Sequence, residues 1–113
     1  MQVLKINVGV HTAKKFDFNN IDFTGVNKVI FTVKNGTDDS FPVIIRREIF
    51  EKDLVNGRYN CIITCEESLN LTQGAVYDFV KEVETGECFK MGRGNGRVEL
   101  EYGVGRCTNV TTQ

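Results

Sequence analysis

A stretch in the middle of the chain carries residue types that can do chemistry. Residues 63–79 read ITCEESLNLTQGAVYDF, which places Cys65, two adjacent glutamates and Ser68 within four positions. A serine or cysteine nucleophile needs a neighbouring general base that a third group orients. The single histidine, His11, stands far upstream and supplies no evident base for Ser68. The pattern therefore favours an architectural role over catalysis.

The same stretch has the pattern of a helix start. Thr64 is followed three residues later by Glu67, and this spacing lets the two residues cap each other's backbone N–H groups. Gly74 ends the pattern, so we predict one short crossover helix near residues 65–71. Thr64→Ala removes the cap oxygen and should cost about 0.5–2 kcal/mol, whereas Ser68→Ala should matter much less.

Period-two alternation of apolar and polar residues covers most of the remaining chain. About eight short strands separated by turns predict an all-β, antiparallel sandwich. Pro42 cannot donate a backbone hydrogen bond, so it belongs at the start of a strand or on an edge. The strand candidates are 2–8, 14–18, 27–34, 40–50, 58–64, 75–84, 87–91 and 97–102. The predicted core residues are Val29, Phe31, Val33, Val43, Ile45, Cys61 and Ile63.

Three Asn-Gly pairs fall between strand candidates, at 35–36, 56–57 and 95–96. Because both residues tolerate positive φ, each pair predicts a hairpin tip. The last pair belongs to GRGNGR, residues 92–97, which also invites comparison with a phosphate-binding loop. Such a loop should open a helix, but a strand pattern follows here. We predict a hairpin whose Arg93 and Arg97 form a small anion-binding tip and a candidate partner contact.

Composition limits the other classes of function. The 113 residues suffice for a single domain, 1–113, and 14 basic against 15 acidic side chains give a net charge of −1. A near-neutral chain has no overall basic field for nucleic acid or anionic membranes. The N-terminal residues alternate in polarity, so we expect no signal peptide. The four cysteines, Cys61, Cys65, Cys88 and Cys107, lack zinc-ligand spacing, so we expect reduced thiols with no metal or cofactor.

Two sequence elements resemble a known family. Residues 22–25 match a "D-L-T-G" element that precedes a strand such as FTVK, and residues 63–74 match an "I-T-x-E-x-[ST]…L-x-x-G" element. Tyr77 and Asp78 then represent an aromatic-rich pattern, one residue closer to the glycine than is usual in the family. In order and spacing, nearly the whole chain is similar to the immunoglobulin-like domain of bacteriophage and prophage tail and baseplate proteins.

The resemblance implies an immunoglobulin-like β-sandwich of seven to eight strands in a non-enzymatic virion component. Its partners would be phage structural proteins or further copies of itself, as a homo-oligomer in the particle. Assembly would take place in the bacterial cytoplasm, without nucleic-acid or membrane binding. The alternative is a small ligand- or carbohydrate-binding β-sandwich module, although the absence of tryptophan argues against a sugar-stacking surface. An enzyme is the third possibility.

Overall fold

The computed structural model describes residues 3–105. Seven strands and one short α-helix account for the regular structure of that range, and a 3₁₀ turn covers Glu51–Asp53. The strands are β1 (Leu4–Val8), β2 (Thr12–Asp17), β3 (Val26–Lys34), β4 (Val43–Ile49), β5 (Arg58–Ile63), β6 (Val76–Val83) and β7 (Cys88–Tyr102), and the helix α1 is Cys65–Leu69. The all-β prediction is confirmed, with two of the predicted strands joined in β7.

The strands form two sheets. A five-stranded sheet has the order β1-β7-β6-β3-β4, and β2 pairs with β5 in a two-stranded sheet. Most neighbours are antiparallel, but β1 runs parallel to β7, with Leu4 opposite Val98 and Val8 opposite Tyr102. The expectation of a purely antiparallel arrangement is therefore wrong. Parallel pairing is possible here because nearly the whole chain separates the two strands.

One hydrophobic core receives side chains from both sheets. Phe31 at its centre is fully buried, and the alternation of β3 places Val29 and Val33 beside it. All predicted core residues are buried except Val43, which is 51% exposed. The pairing register shifts between Val33 and Lys34, which lie opposite Ile45 and Val43. This shift inserts an extra residue into β4 and turns Val43 outward.

The sequence also assigns the wrong face of β6 to the core. The sequence predicts Val76 on the core face, but the buried residues are its neighbours Ala75 and Tyr77. Val76 lies opposite the exposed Arg97 of β7. A shift of one position exchanges the two faces of a strand, so period-two alternation alone does not fix which face is buried.

The Asn-Gly pairs have three different outcomes. Asn56 and Gly57 both have positive φ, 53° and 75°, in a tight turn closed by reciprocal hydrogen bonds between Val55 and Arg58, so a turn is confirmed here. The strands β4 and β5 on either side of it lie in different sheets, so the prediction of a hairpin between them is wrong. The pair 35–36 instead begins a longer connection, residues 35–42, between β3 and β4. The pair 95–96 lies inside β7, and the hairpin predicted there is wrong.

The helix α1 connects β5 of the small sheet to β6 of the large one, as predicted. After α1, the Asn35 side chain holds the chain by donating to the carbonyl of Asn70 at 3.0 Å and accepting the N–H of Thr72 at 2.9 Å. Leu71 is buried at this end of the core. In residues 3–105, no helix has the length and apolar character needed to cross a membrane.

Candidate functional site

The chemically suggestive stretch, residues 63–79, joins the two sheets. Thr64 Oγ1 accepts the N–H of Glu67 at 3.1 Å, and Glu67 Oε1 accepts the N–H of Thr64 at 3.0 Å. This is the reciprocal cap predicted from the sequence. It satisfies backbone donors at the start of α1 that have no partner within the helix.

Glu67 also accepts a hydrogen bond from Arg47 of β4. Arg47 Nη2 lies 2.6 Å from Glu67 Oε1 and donates to the carbonyl of Ile62 at 3.1 Å. Partial burial raises the pKa of Glu67, but hydrogen bonds from Arg47 and Thr64 outweigh that effect and leave the pKa below its ordinary value. The Glu67 carboxylate is therefore kept charged by contacts that also join β4, β5 and α1.

Ser68 is buried, with 0% of its surface exposed. Its Oγ donates to the carbonyl of Cys65 at 2.6 Å and accepts the N–H of Gly9 at 2.9 Å. The second bond ties α1 to the turn after β1. The sequence predicts little effect for Ser68→Ala, and this contact with a residue outside the helix reverses that prediction.

The fold brings His11 to the same helix, although the two are far apart in sequence. His11 Nδ1 accepts the N–H of Cys65 at 2.8 Å and so serves as a further cap of α1. Within residues 3–105, no hydrogen bond joins His11 to Ser68. The histidine, serine and carboxylate of this region each bond to the backbone, which is the architectural role favoured by the sequence.

The described thiols differ in accessibility. Cys61 and Cys65 are buried and Cys88 is exposed, and none of the three is in a disulfide. Burial raises the pKa of the Cys61 thiol, which keeps it protonated at neutral pH. Cys107 lies outside the described residues. Across residues 3–105, no group of three or more His, Cys, Asp or Glu side chains is placed to hold a metal ion.

The predicted arginine tip does not exist as a hairpin. On β6, Asp78 alone separates the residues that pair with β7 at Met91 and Gly96, whereas residues 92–95 separate those partners on β7. Residues 92–95 therefore form a bulge within one long strand. Arg93 lies in this bulge, and Arg97 follows it with 70% of its side chain exposed and its Nη2 3.8 Å from Glu99 Oε2. Their role as a partner contact stays a prediction.

Gly96 has a packing role rather than the turn role suggested by the sequence. It lies opposite Tyr77 of β6, whose ring covers it closely. A Cβ atom at position 96 would overlap that ring. A glycine inside a strand often marks such a close approach, and this explains why Asn95-Gly96 resembles a turn but is not one.

A groove that the sequence reasoning did not predict opens between the two sheets. We call it the open seam: it lies between β2 on one side and the start of β1, β6 and the bulged part of β7 on the other. Its volume is about 550 Å³. The apolar lining includes Leu4, Phe16, Phe18, Phe79 and Met91. Phe16 and Phe79 are in edge-to-face contact with ring centroids 5.0 Å apart, so part of the lining is a packed aromatic cluster.

Lys14 is the unusual member of this lining. It lies opposite Cys61 in the β2–β5 pair, and Cys61 is fully buried, so the lysine shares the inner face of the small sheet. Its side chain is half-buried. Within residues 3–105, no carboxylate lies within ion-pair distance of Lys14. The signal was present in the sequence as a lysine at the apolar phase of a strand, two residues before Phe16.

No protein-family model matches the chain, and a search of curated proteins returns no match.

Proposed function

We propose that this chain is a non-enzymatic structural protein of a phage or prophage, an immunoglobulin-like domain that docks within the tail or baseplate. Its partners are neighbouring structural proteins or further copies of the chain. The proposal rests on the resemblance of residues 22–25 and 63–74 to tail and baseplate domains, together with one structural observation, the order of the strands.

That order supports an immunoglobulin-like sandwich. Variable-type immunoglobulin domains have a sheet with strands in the order G, F, C and C′, packed on a second sheet that contains B and E. Here β7-β6-β3-β4 have the same order and chain sequence as G-F-C-C′, and β2 and β5 correspond to B and E. Tyr77 is buried at the second position of β6, where this fold commonly has a tyrosine.

The two motif elements occupy turns and caps that shape such a fold. Asp22 Oδ1 accepts the N–H of Thr24 at 2.9 Å, and Gly25 follows with φ of 74° immediately before β3. Gly25 also accepts the N–H of Glu84 through its carbonyl at 3.0 Å, which fixes the turn to the end of β6. The second element forms the cap of α1. The residues that match the two family elements thus make contacts that fix the turn before β3 and the start of α1.

The surface offers features suited to docking. Several large apolar side chains are exposed, among them Phe41, Ile62 and Phe89. Within residues 3–105, four strands have one edge that pairs with no other strand, namely β1, β2, β4 and β5. Unpaired edges and exposed apolar side chains are common means by which β-proteins associate.

The test is the location of the protein in purified particles. Particles from an induced lysogen should contain this chain by mass spectrometry, and immunogold labelling should place it on the tail or baseplate. Light scattering over a concentration series would then separate self-association from docking on a neighbour. A chain that is abundant in the lysate but absent from purified particles would contradict the proposal.

A further inference from the structure

The two sides of the domain close the space between the sheets in different ways. On one side, Arg47 projects from the inner face of β4 and meets Glu67, so a cation at the edge of the core is neutralised within the chain. On the other side, Lys14 projects from the inner face of β2 into the open seam. Among residues 3–105, no carboxylate lies within ion-pair distance of Lys14. Asp17 also lines the groove, but its carboxylate lies 4.0 Å from Arg58 Nε.

The open seam also has free backbone on both sides. In the described range, β2 pairs only with β5, so its other edge is unpaired. Among the described residues, β1 pairs with β7 only from Val98 to Tyr102, and no other described strand pairs with this edge of residues 88–97. Free backbone donors and acceptors beside an apolar groove are the features that accept an added strand.

We propose that the open seam binds an extended segment of another protein, which adds a strand beside β2 and places a carboxylate against Lys14. Alternate side chains of the segment enter the apolar groove, and one inward position is aspartate or glutamate. The identity of that protein as a virion component rests on the proposed function; binding of the strand does not.

Lys14 gives the seam its selectivity. An inward-pointing charge on an edge strand discourages indiscriminate pairing, because an arbitrary apolar strand would bury the ammonium group without a partner. A segment with a carboxylate at the matching position removes that penalty, so the same lysine rejects most strands and favours one class. The chain's own residues 106–113, RCTNVTTQ, contain no acidic side chain and do not supply this match.

The probes are synthetic nine-residue peptides with threonine at outward positions and valine at inward positions. One has glutamate at the central inward position, a second has lysine there, and a third has proline. With the full chain, fluorescence anisotropy should show binding of the glutamate peptide at least ten times tighter than binding of the lysine peptide. The proline peptide should not bind, because proline disrupts strand pairing.

Two variants of the protein test the role of the lysine. Lys14→Glu should reverse the preference between the two charged peptides. Lys5→Glu makes the same change of charge at an exposed position of β1 that does not line the groove, and it should leave the preference for glutamate. Lys14→Met should abolish the preference while retaining the apolar lining. It replaces Lys14→Glu in the test if that variant does not fold. Thermal melts would show which variants fold.

Hydrogen exchange places the peptide. The glutamate peptide should slow exchange of amides within Thr12–Asp17, whereas amides of β4 should be unchanged. Equal binding of the charged peptides, binding of none, or protection confined to another edge would overturn the proposal. Amides of the free β2 edge that are already protected in the full chain alone would overturn it too, because residues 106–113 or a second copy would then fill the seam. A chain absent from particles that still binds the glutamate peptide would contradict only the proposed function.

Discussion

Arg47 Nη2 and Glu67 Oε1 lie 2.6 Å apart, which joins the edge strand β4 to the first turn of the crossover helix. The same carboxylate oxygen accepts the N–H of Thr64 at 3.0 Å. The Glu67 side chain thus caps α1 and also pairs with an arginine of the five-stranded sheet. The hydrogen bond to Glu67 raises the pKa of Arg47, although partial burial opposes it, so both partners are charged at neutral pH.

This ion pair predicts a pH-dependent contribution to stability. The pKa of Glu67 is lowered in the folded state relative to the ordinary value of 4.5, so its contribution is present above the pKa of the unfolded chain and is lost as the pH falls through the folded pKa. Glu67→Gln should therefore have a lower free energy of unfolding than the parent at pH 7. This gap in the free energy of unfolding should become smaller as the pH falls below about 4.5. Urea unfolding at several pH values measures this gap. Glu66→Gln, on the same helical turn, is the control, because it removes a negative charge without removing the contact between Arg47 and Glu67.

Ser68→Ala should destabilise the protein by about 1–3 kcal/mol, because it leaves the buried N–H of Gly9 without its acceptor. Thr64→Ala should cost about 0.5–2 kcal/mol through loss of the cap. Ser40→Ala, at an exposed position, is the control and should stay within about 0.5 kcal/mol. Chemical denaturation compares the three. A Ser68 variant as stable as the Ser40 variant would contradict the buried hydrogen bond.

Gly96→Ala should cost about 1–3 kcal/mol, since the added methyl group overlaps the ring of Tyr77. Gly103→Ala has open space around the new Cβ and should change stability by less than about 1 kcal/mol. Thermal unfolding measures both changes. A Gly96→Ala variant as stable as the Gly103→Ala variant would contradict the close packing of the Tyr77 ring on Gly96.

Phe31→Ala should cost about 3–5 kcal/mol, because the ring is fully buried and contacts Phe16 and Phe79 at centroid distances of 4.9 and 5.1 Å. Val43→Ala should stay within about 0.5 kcal/mol, since that side chain faces outward. Equilibrium unfolding in urea provides both values. A large loss at Val43 would show that the register shift in β4 is misplaced.

Alkylation should distinguish the thiols in the native protein. Cys88 is exposed and should react with iodoacetamide quickly, whereas Cys61 is buried with a raised pKa and should react only after unfolding. Peptide mass spectrometry after timed quenching identifies each site, and Cys88→Ser provides the matched control. Rapid modification of Cys61 would show that the core opens around β5.

The sequence was sufficient for the local structure. Period two located the strands, and Thr64 with Glu67 located the helix start, because these signals depend on neighbours within a few residues. It failed where a distant residue decides the outcome. From its neighbours in sequence, Gly96 resembles a turn residue, but its contact with Tyr77 shows that it packs inside a strand. Val43 likewise resembles a core residue, but its register opposite Lys34 shows that it faces outward.

The candidate site follows the same division. The architectural role of residues 63–79 was predicted from local spacing, but Gly9 and His11 as partners of that stretch were not. The open seam escaped prediction because it is bounded by strands from both sheets. Lys14 was its only local sign, and a lysine in a strand gains meaning only when the inner face of the strand is known.

The parallel pairing of β1 with β7 has a mechanical consequence. Tension applied between a segment ahead of Leu4 and one beyond Tyr102 pulls these two strands in opposite directions along their common axis. The backbone hydrogen bonds between them are then loaded in shear, all at once, instead of opening one after another as in an antiparallel pair pulled from its open end. Force transmitted between these two points is thus carried by the hydrogen bonds that join the first and the last of the described strands.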